Sequence, residues 1–222
     1  MRARLIPLVL LVAALVAPSS SATAADREDW RGDRQAKPSA YAWLNDYTPS
    51  DTYTVALVRG LRPKAVLRTL GGVRRDLDGR TPQEAEEYVF DHMSDDYEGP
   101  PVVQVERHGK ATVVYLPYNF VPDRLLARLS RRGVVTAFST TVEQDTYLTV
   151  AKKGRIIRRF DAGFRPPRKG ALRQEKGLDW GKRDQNIWAT AWAFNERVGR
   201  THVSQEWFQG DHPTYVLRKD LY

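Results

Sequence analysis

The sequence predicts an α+β domain: a mainly antiparallel sheet of five to six strands with helices packed on one face. Three observations carry this expectation. Six short segments are rich in β-branched and aromatic residues, most of them are joined by turns too short for a crossover, and the helical stretches between them each show a single apolar stripe. With 222 residues, 41% hydrophobic and 28% charged, the chain has enough apolar content for one ordinary core and too much for a disordered polymer. It contains no cysteine, which excludes disulfides, thiolate catalysis and cysteine-ligated zinc.

Taken in order, Arg2 and Arg4 precede an apolar run over residues 5–17, and Ala22-Thr23-Ala24 supplies a small-x-small cleavage pattern. The run is shorter than the roughly 20 residues needed to span a bilayer. Residues 1–24 therefore read as a signal peptide and the product as secreted. Residues 25–39, polar and ending around Pro38, read as a flexible lead-in to a single globular domain over 40–222. Tyr41-Ala-Trp43-Leu44 suits a short helix and residues 53–58 a strand, broken at Arg59-Gly60. Pro63 opens a helix with Val66, Leu67 and Leu70 on one face, ended by Gly71-Gly72. Thr81-Pro-Gln-Glu84 is a capping box, and the helix it starts would bury Ala85, Tyr88, Val89 and His92. Residues 102–107 and 111–116 flank a hairpin signal at His108-Gly109. Pro122 begins a helix whose inner face is Leu125, Leu126 and Leu129. Residues 134–140, 146–151 and 155–160 are three further strands, the last two turning at Lys153-Gly154. A final helix, capped by Asp184, carries Ile187, Trp188, Trp192 and Val198 at core spacing.

Several of these stretches carry a likeness. Tyr41-x-Trp43-Leu44, the run Leu57-Val-Arg-Gly-Leu-Arg-Pro through Gly71, Gly154-Arg-Ile-Ile-Arg-Arg-Phe-Asp161, Gly177-Leu178 and the stretch from Gly199 to Trp207 resemble an actinobacterial domain-of-unknown-function family, number 6461, over roughly residues 41–209. The resemblance implies a domain and its limits, and it brings no catalytic residue with it.

Chemistry-bearing motifs are sparse. The chain has no Gly-x-Ser-x-Gly elbow, phosphate loop, dinucleotide fingerprint or His-Glu-x-x-His helix, and no cofactor is implied. His202, Glu206 and His212 match no usual zinc spacing, and the acidic stretch around Asp91, Asp95, Asp96 and Glu98 lacks the alternating ligands of a calcium loop. Charge is more informative. Residues 152–173 hold nine cations and one acid, Asp161, and residues 76–98 hold nine acids and one cation, Arg80. The two runs face each other, or are solvated faces of a helix and a hairpin, or expose the cations for a ligand. The expectation for function is an exported, non-catalytic module that binds a partner protein or an anionic polymer, such as wall teichoic acid, acidic lipid or nucleic acid. The binding residues would be Lys152, Lys153, Arg155, Arg158, Arg159, Arg165, Arg168 and Lys169. The alternative is a secreted hydrolase built on carboxylates with His202 or His212.

Overall fold

The computed structural model describes residues 36–45, 52–95, 98–143, 145–181 and 186–221. The expected signal peptide, residues 25–35 of the lead-in and the expected cap Asp184 lie outside the described residues. Eight strands form one sheet: β1 (Tyr53–Arg59), β2 (Val73–Arg80), β3 (Val102–His108), β4 (Ala111–Pro117), β5 (Val134–Thr140), β6 (Thr146–Lys152), β7 (Arg155–Asp161) and β8 (His212–Leu217). Their spatial order is β2-β8-β3-β4-β1-β5-β6-β7, and every neighbouring pair is antiparallel.

The expected sheet of five to six strands with helices on one face is thus corrected on two counts. Two strands escape the hydrophobic pattern. β2 is an edge strand in which six of eight residues are charged or glycine, its ladder to β8 is interrupted by register shifts, and Asp78 adopts a left-handed φ of 63°. β8 contains Pro213, which reads as a breaker. Its pairing with β3 begins only at Thr214, so the missing N–H falls outside that ladder.

Both faces of the sheet are covered, because the central strands are apolar on both. In β1, Val55 and Leu57 alternate with Ala56 and Val58, and all four are fully buried. Val55 and Leu57 join Tyr115, Phe138, Leu148 and Phe160 beneath a 3-10 helix (Pro38–Asn45) and two later helices, α4 (Ile187–Gly199) and α5 (Gln205–Gln209). Trp192 sits at the centre of this cluster, edge-on to Phe138 at 5.2 Å. Ala56 and Val58 join Val105, Val114 and Leu116 beneath α1 (Pro63–Thr69) and α3 (Asp123–Leu129). The remaining helix, α2 (Pro82–Asp91), packs Ala85 and Val89 on Leu77, Val102 and Val216.

Local sequence explains the helix limits. Thr81 and Glu84 make the reciprocal capping box of α2. The carboxyl end of α1 is turned by Gly71, with φ of 116°, as Gly72 N–H returns to Leu67 O at 2.9 Å. The cap of α4 is Asn186, whose side chain accepts from Ala189 N–H at 2.8 Å. His92, expected in the core, is exposed at the end of α2 and stacks on Tyr88.

Candidate functional site

The sheet order decides how the two charge runs relate. The acidic run begins on β2, at one edge of the sheet, and the basic run occupies β7, at the other. Seven strand spacings of about 4.8 Å separate those edges by roughly 34 Å. Among the described residues the ion pairs of the basic run are made with acids from elsewhere: Arg158 with Glu175, and Arg159 with Asp123.

Those two arginines differ sharply. Arg158 is 6% exposed. It binds Glu175 bidentately, both distances 2.8 Å, donates to Lys169 O and Pro167 O at 3.1 and 2.9 Å, and lies over the Phe160 ring. Its work is to fold residues 165–175 back onto the sheet, assisted by Arg197 of α4, which donates to Gln174 O and Lys176 O. Arg159 points to the opposite face and pairs with Asp123 at the start of α3. Arg165, Arg168 and Lys169 are exposed on the returning loop.

Lys152, Lys153 and Arg155 are brought together at the β6–β7 turn, where with Ile157 they line an open concavity of about 530 Å³. Lys152 and Arg155 are cross-strand partners. Lys153 and Gly154 both have positive φ, 49° and 80°, the two-residue geometry that matches strand twist. A lysine at such a position is unusual, since a Cβ crowds the left-handed backbone.

Cations outside the basic run lie in the neighbouring loops. Arg59 ends β1 and Arg62 follows it, and Arg131 and Arg132 precede β5. Sequence reasoning passed over them. Their own stretches are basic too, with six cations and no acid over residues 59–75 and four cations and no acid over 124–132, but each holds fewer than the nine of the 152–173 run, which drew the attention first.

The histidines of the hydrolase alternative belong to two carboxylate centres, one buried and one partly buried. Glu196, 1% exposed, receives Tyr41 O–H at 2.5 Å and Val203 N–H at 2.5 Å, and His202 Nδ1 lies 3.0 Å from it. Burial, and then the Glu196 carboxylate, push the Tyr41 phenol far above its ordinary range. This centre ties the 3-10 helix to the end of α4. In the second, Glu106 accepts from Trp207 Nε1, and His212, stacked on Trp207, places Nδ1 3.2 Å from Glu106 and Nε2 2.6 Å from Trp207 O. Among the described residues no three His, Asp or Glu side chains are grouped to hold a metal ion.

A model of a family of unknown function, DUF6461, matches residues 34–175, more than half of the chain. The chain belongs to this family. No curated protein and no solved structure matches it. The match to DUF6461 ends at Glu175, the partner of Arg158. Beyond it, α4, α5 and β8 still belong to the same sheet and core, with β8 inserted between β2 and β3.

Proposed function

We propose that the protein is an exported, non-catalytic interaction module that binds an anionic polymer through the exposed cations of its basic run. The observation that carries this reading is the separation of opposite charges across the sheet: Lys152, Lys153 and Arg155 converge on an open concavity at one edge while the acidic run starts at the other. Among the described residues these three cations make no ion pair with a carboxylate, and a polyanion supplies the counter-charge while releasing its condensed counterions. Arg165, Arg168 and Lys169 extend the same charge along the returning loop. Export rests on the positively charged start, the apolar run and the Ala22-Thr23-Ala24 pattern. Among the described residues no helix is long and apolar enough to cross a membrane. Intact-mass analysis of secreted protein should give a chain starting at Ala25 or Asp26, and recovery of only the uncleaved chain would overturn the export reading.

Binding is tested by retention on immobilised polyanion over a salt series. The triple variant Lys152→Gln, Lys153→Gln, Arg155→Gln should elute at lower salt than the parent protein, and unchanged elution would overturn the reading. The hydrolase alternative has one observation in its favour, the Glu196–His202 pair with the imidazole one third exposed. His202→Gln separates the two readings, since a binding module keeps its polyanion affinity and a hydrolase loses turnover.

A further inference from the structure

Three loops meet at one end of the sheet because β1, β5, β6 and β7 are consecutive in it. Lys153 N–H donates to Gly133 O at 3.4 Å, and Gly154 N–H donates to Ser130 Oγ at 3.1 Å. Gly60 and Gly133 then pack backbone against backbone. A Cβ at Gly60 would meet Arg132 O at 2.6 Å, and one at Gly133 would overlap Arg59 O, so only glycine permits this approach. Segments 59–62, 130–133 and 152–155 therefore form a single rim.

Its twelve residues include Arg59, Arg62, Arg131, Arg132, Lys152, Lys153 and Arg155, and no acid. Among the described residues, none of the seven makes an ion pair with a carboxylate. Arg200, the left-handed cap of α4, adds its charge: burial, and then Arg200, hold the Arg59 guanidinium below its ordinary value. The backbone thus brings these cations to one end of the sheet, a concentration of like charge that a bound anion neutralises and that salt screens.

The composition of the rim selects among anions. Five of the seven cations are arginines, whose planar forks match phosphate oxygens. The three segments contain no aromatic residue, so they offer no platform for stacking bases, and the exposed Phe90 and Phe164 lie in other segments. We infer that this composite rim grips a linear polyol phosphate chain, such as a wall teichoic acid, by its phosphates. The inference deepens the polyanion reading and rests on it, but draws four of the seven cations from outside the basic run.

The test compares two triple variants with a charge-matched control, using poly(glycerol phosphate), single-stranded DNA and heparin as probes over a salt series. Arg62→Gln, Arg131→Gln, Arg132→Gln alters the loops outside the run, and Lys152→Gln, Lys153→Gln, Arg155→Gln alters the turn. Arg74→Gln, Lys176→Gln, Lys219→Gln removes the same charge from exposed positions elsewhere. Each rim variant should lose at least about tenfold in affinity for poly(glycerol phosphate). Each should also flatten the slope of log affinity against log salt by about 2, three contacts at roughly 0.7 each. The control should stay within about twofold. All three should keep the parent thermal midpoint or exceed it, because no buried contact is removed. Parent-like binding by the Arg62, Arg131, Arg132 variant, with loss in the Lys152, Lys153, Arg155 variant, overturns the composite rim and leaves the basic-run reading standing. Tighter binding of DNA or heparin than of poly(glycerol phosphate) at equal charge overturns the ligand class. Binding of none of the three probes by the parent protein overturns both readings.

Discussion

Arg158 and Arg159 are adjacent in the chain and alike in chemistry, yet strand alternation sends them to opposite faces with opposite consequences. Arg158 is buried with a bidentate partner, so Arg158→Ala strands the Glu175 carboxylate and frees the returning loop. Denaturant unfolding should show a loss of about 3–5 kcal/mol. Arg159→Gln breaks a pair that is about half exposed and should lose less than about 1 kcal/mol. Equal small losses would overturn the assignment of Arg158 as a structural clasp. Glu106 governs a pH response. Burial raises its carboxyl, but the His212 imidazole 3.2 Å away and the Trp207 N–H more than offset this, leaving it below its ordinary 4.5. A carboxyl held lower in the folded state contributes stability that is present above about 4.5 and is lost as pH falls through the folded value. Thermal midpoints from pH 7 down to 3 should therefore fall more steeply in the parent than in Glu106→Gln. Parallel curves would show that the His212 contact contributes nothing.

At the scale of elements, legibility followed the source of each element's order. Helices specified locally were readable: the capping box at Thr81 and Glu84 and the leucine stripe of α3 appear where the sequence places them. Thr81→Ala, which leaves the Glu84 N–H unsatisfied, should cost about 1 kcal/mol in denaturant unfolding. In α1 the expected stripe divides, with Val66 and Leu70 buried and Leu67 only partly so. Leu70→Ala should accordingly cost about 2–5 kcal/mol and Leu67→Ala clearly less, and the reverse ranking would mean the helix is rotated from its described position. β2 and β8 were illegible because their order comes from partners distant in sequence. Gln104 on β3 bonds Thr214 of β8 at 3.1 Å and Arg80 O of β2 at 2.8 Å, tying together β2, whose own residues carry little strand preference, and β8, whose Thr214, Tyr215 and Val216 suit a strand but follow Pro213. The second helical layer was missed for a related reason: Ala56 and Val58 alternate with Val55 and Leu57, and a strand apolar on both faces has no periodicity to show that each face has a cover.

The acidic run starts at one edge of the sheet and the basic run occupies the other, and this is the scale at which the site becomes visible. The basic run was readable as a sum over residues 152–173, but Arg59, Arg62, Arg131 and Arg132 join it only through the strand order β1-β5-β6-β7. Part of the run, Arg158 above all, is consumed by folding. A physical consequence distinguishes a rim of uncompensated cations from an ordinary charged surface. Mutual repulsion within the rim opposes folding, and salt screens it over a Debye length of about 10 Å at 0.1 M. The favourable exposed pair Arg159–Asp123 is weakened by the same salt but is worth little in water. Repulsion therefore dominates the balance, and the thermal midpoint of the free protein should rise as sodium chloride increases from 0.02 to about 0.3 M. In the Arg62→Gln, Arg131→Gln, Arg132→Gln variant that rise should shrink, with the low-salt midpoint already higher than the parent's. A polyol phosphate chain should raise the parent midpoint most at low salt, where it replaces the missing counter-charge, and progressively less as salt competes. A parent midpoint that is flat or falls with salt would mean that the seven cations do not repel one another appreciably, and would remove the energetic reason for this end of the sheet to seek an anion.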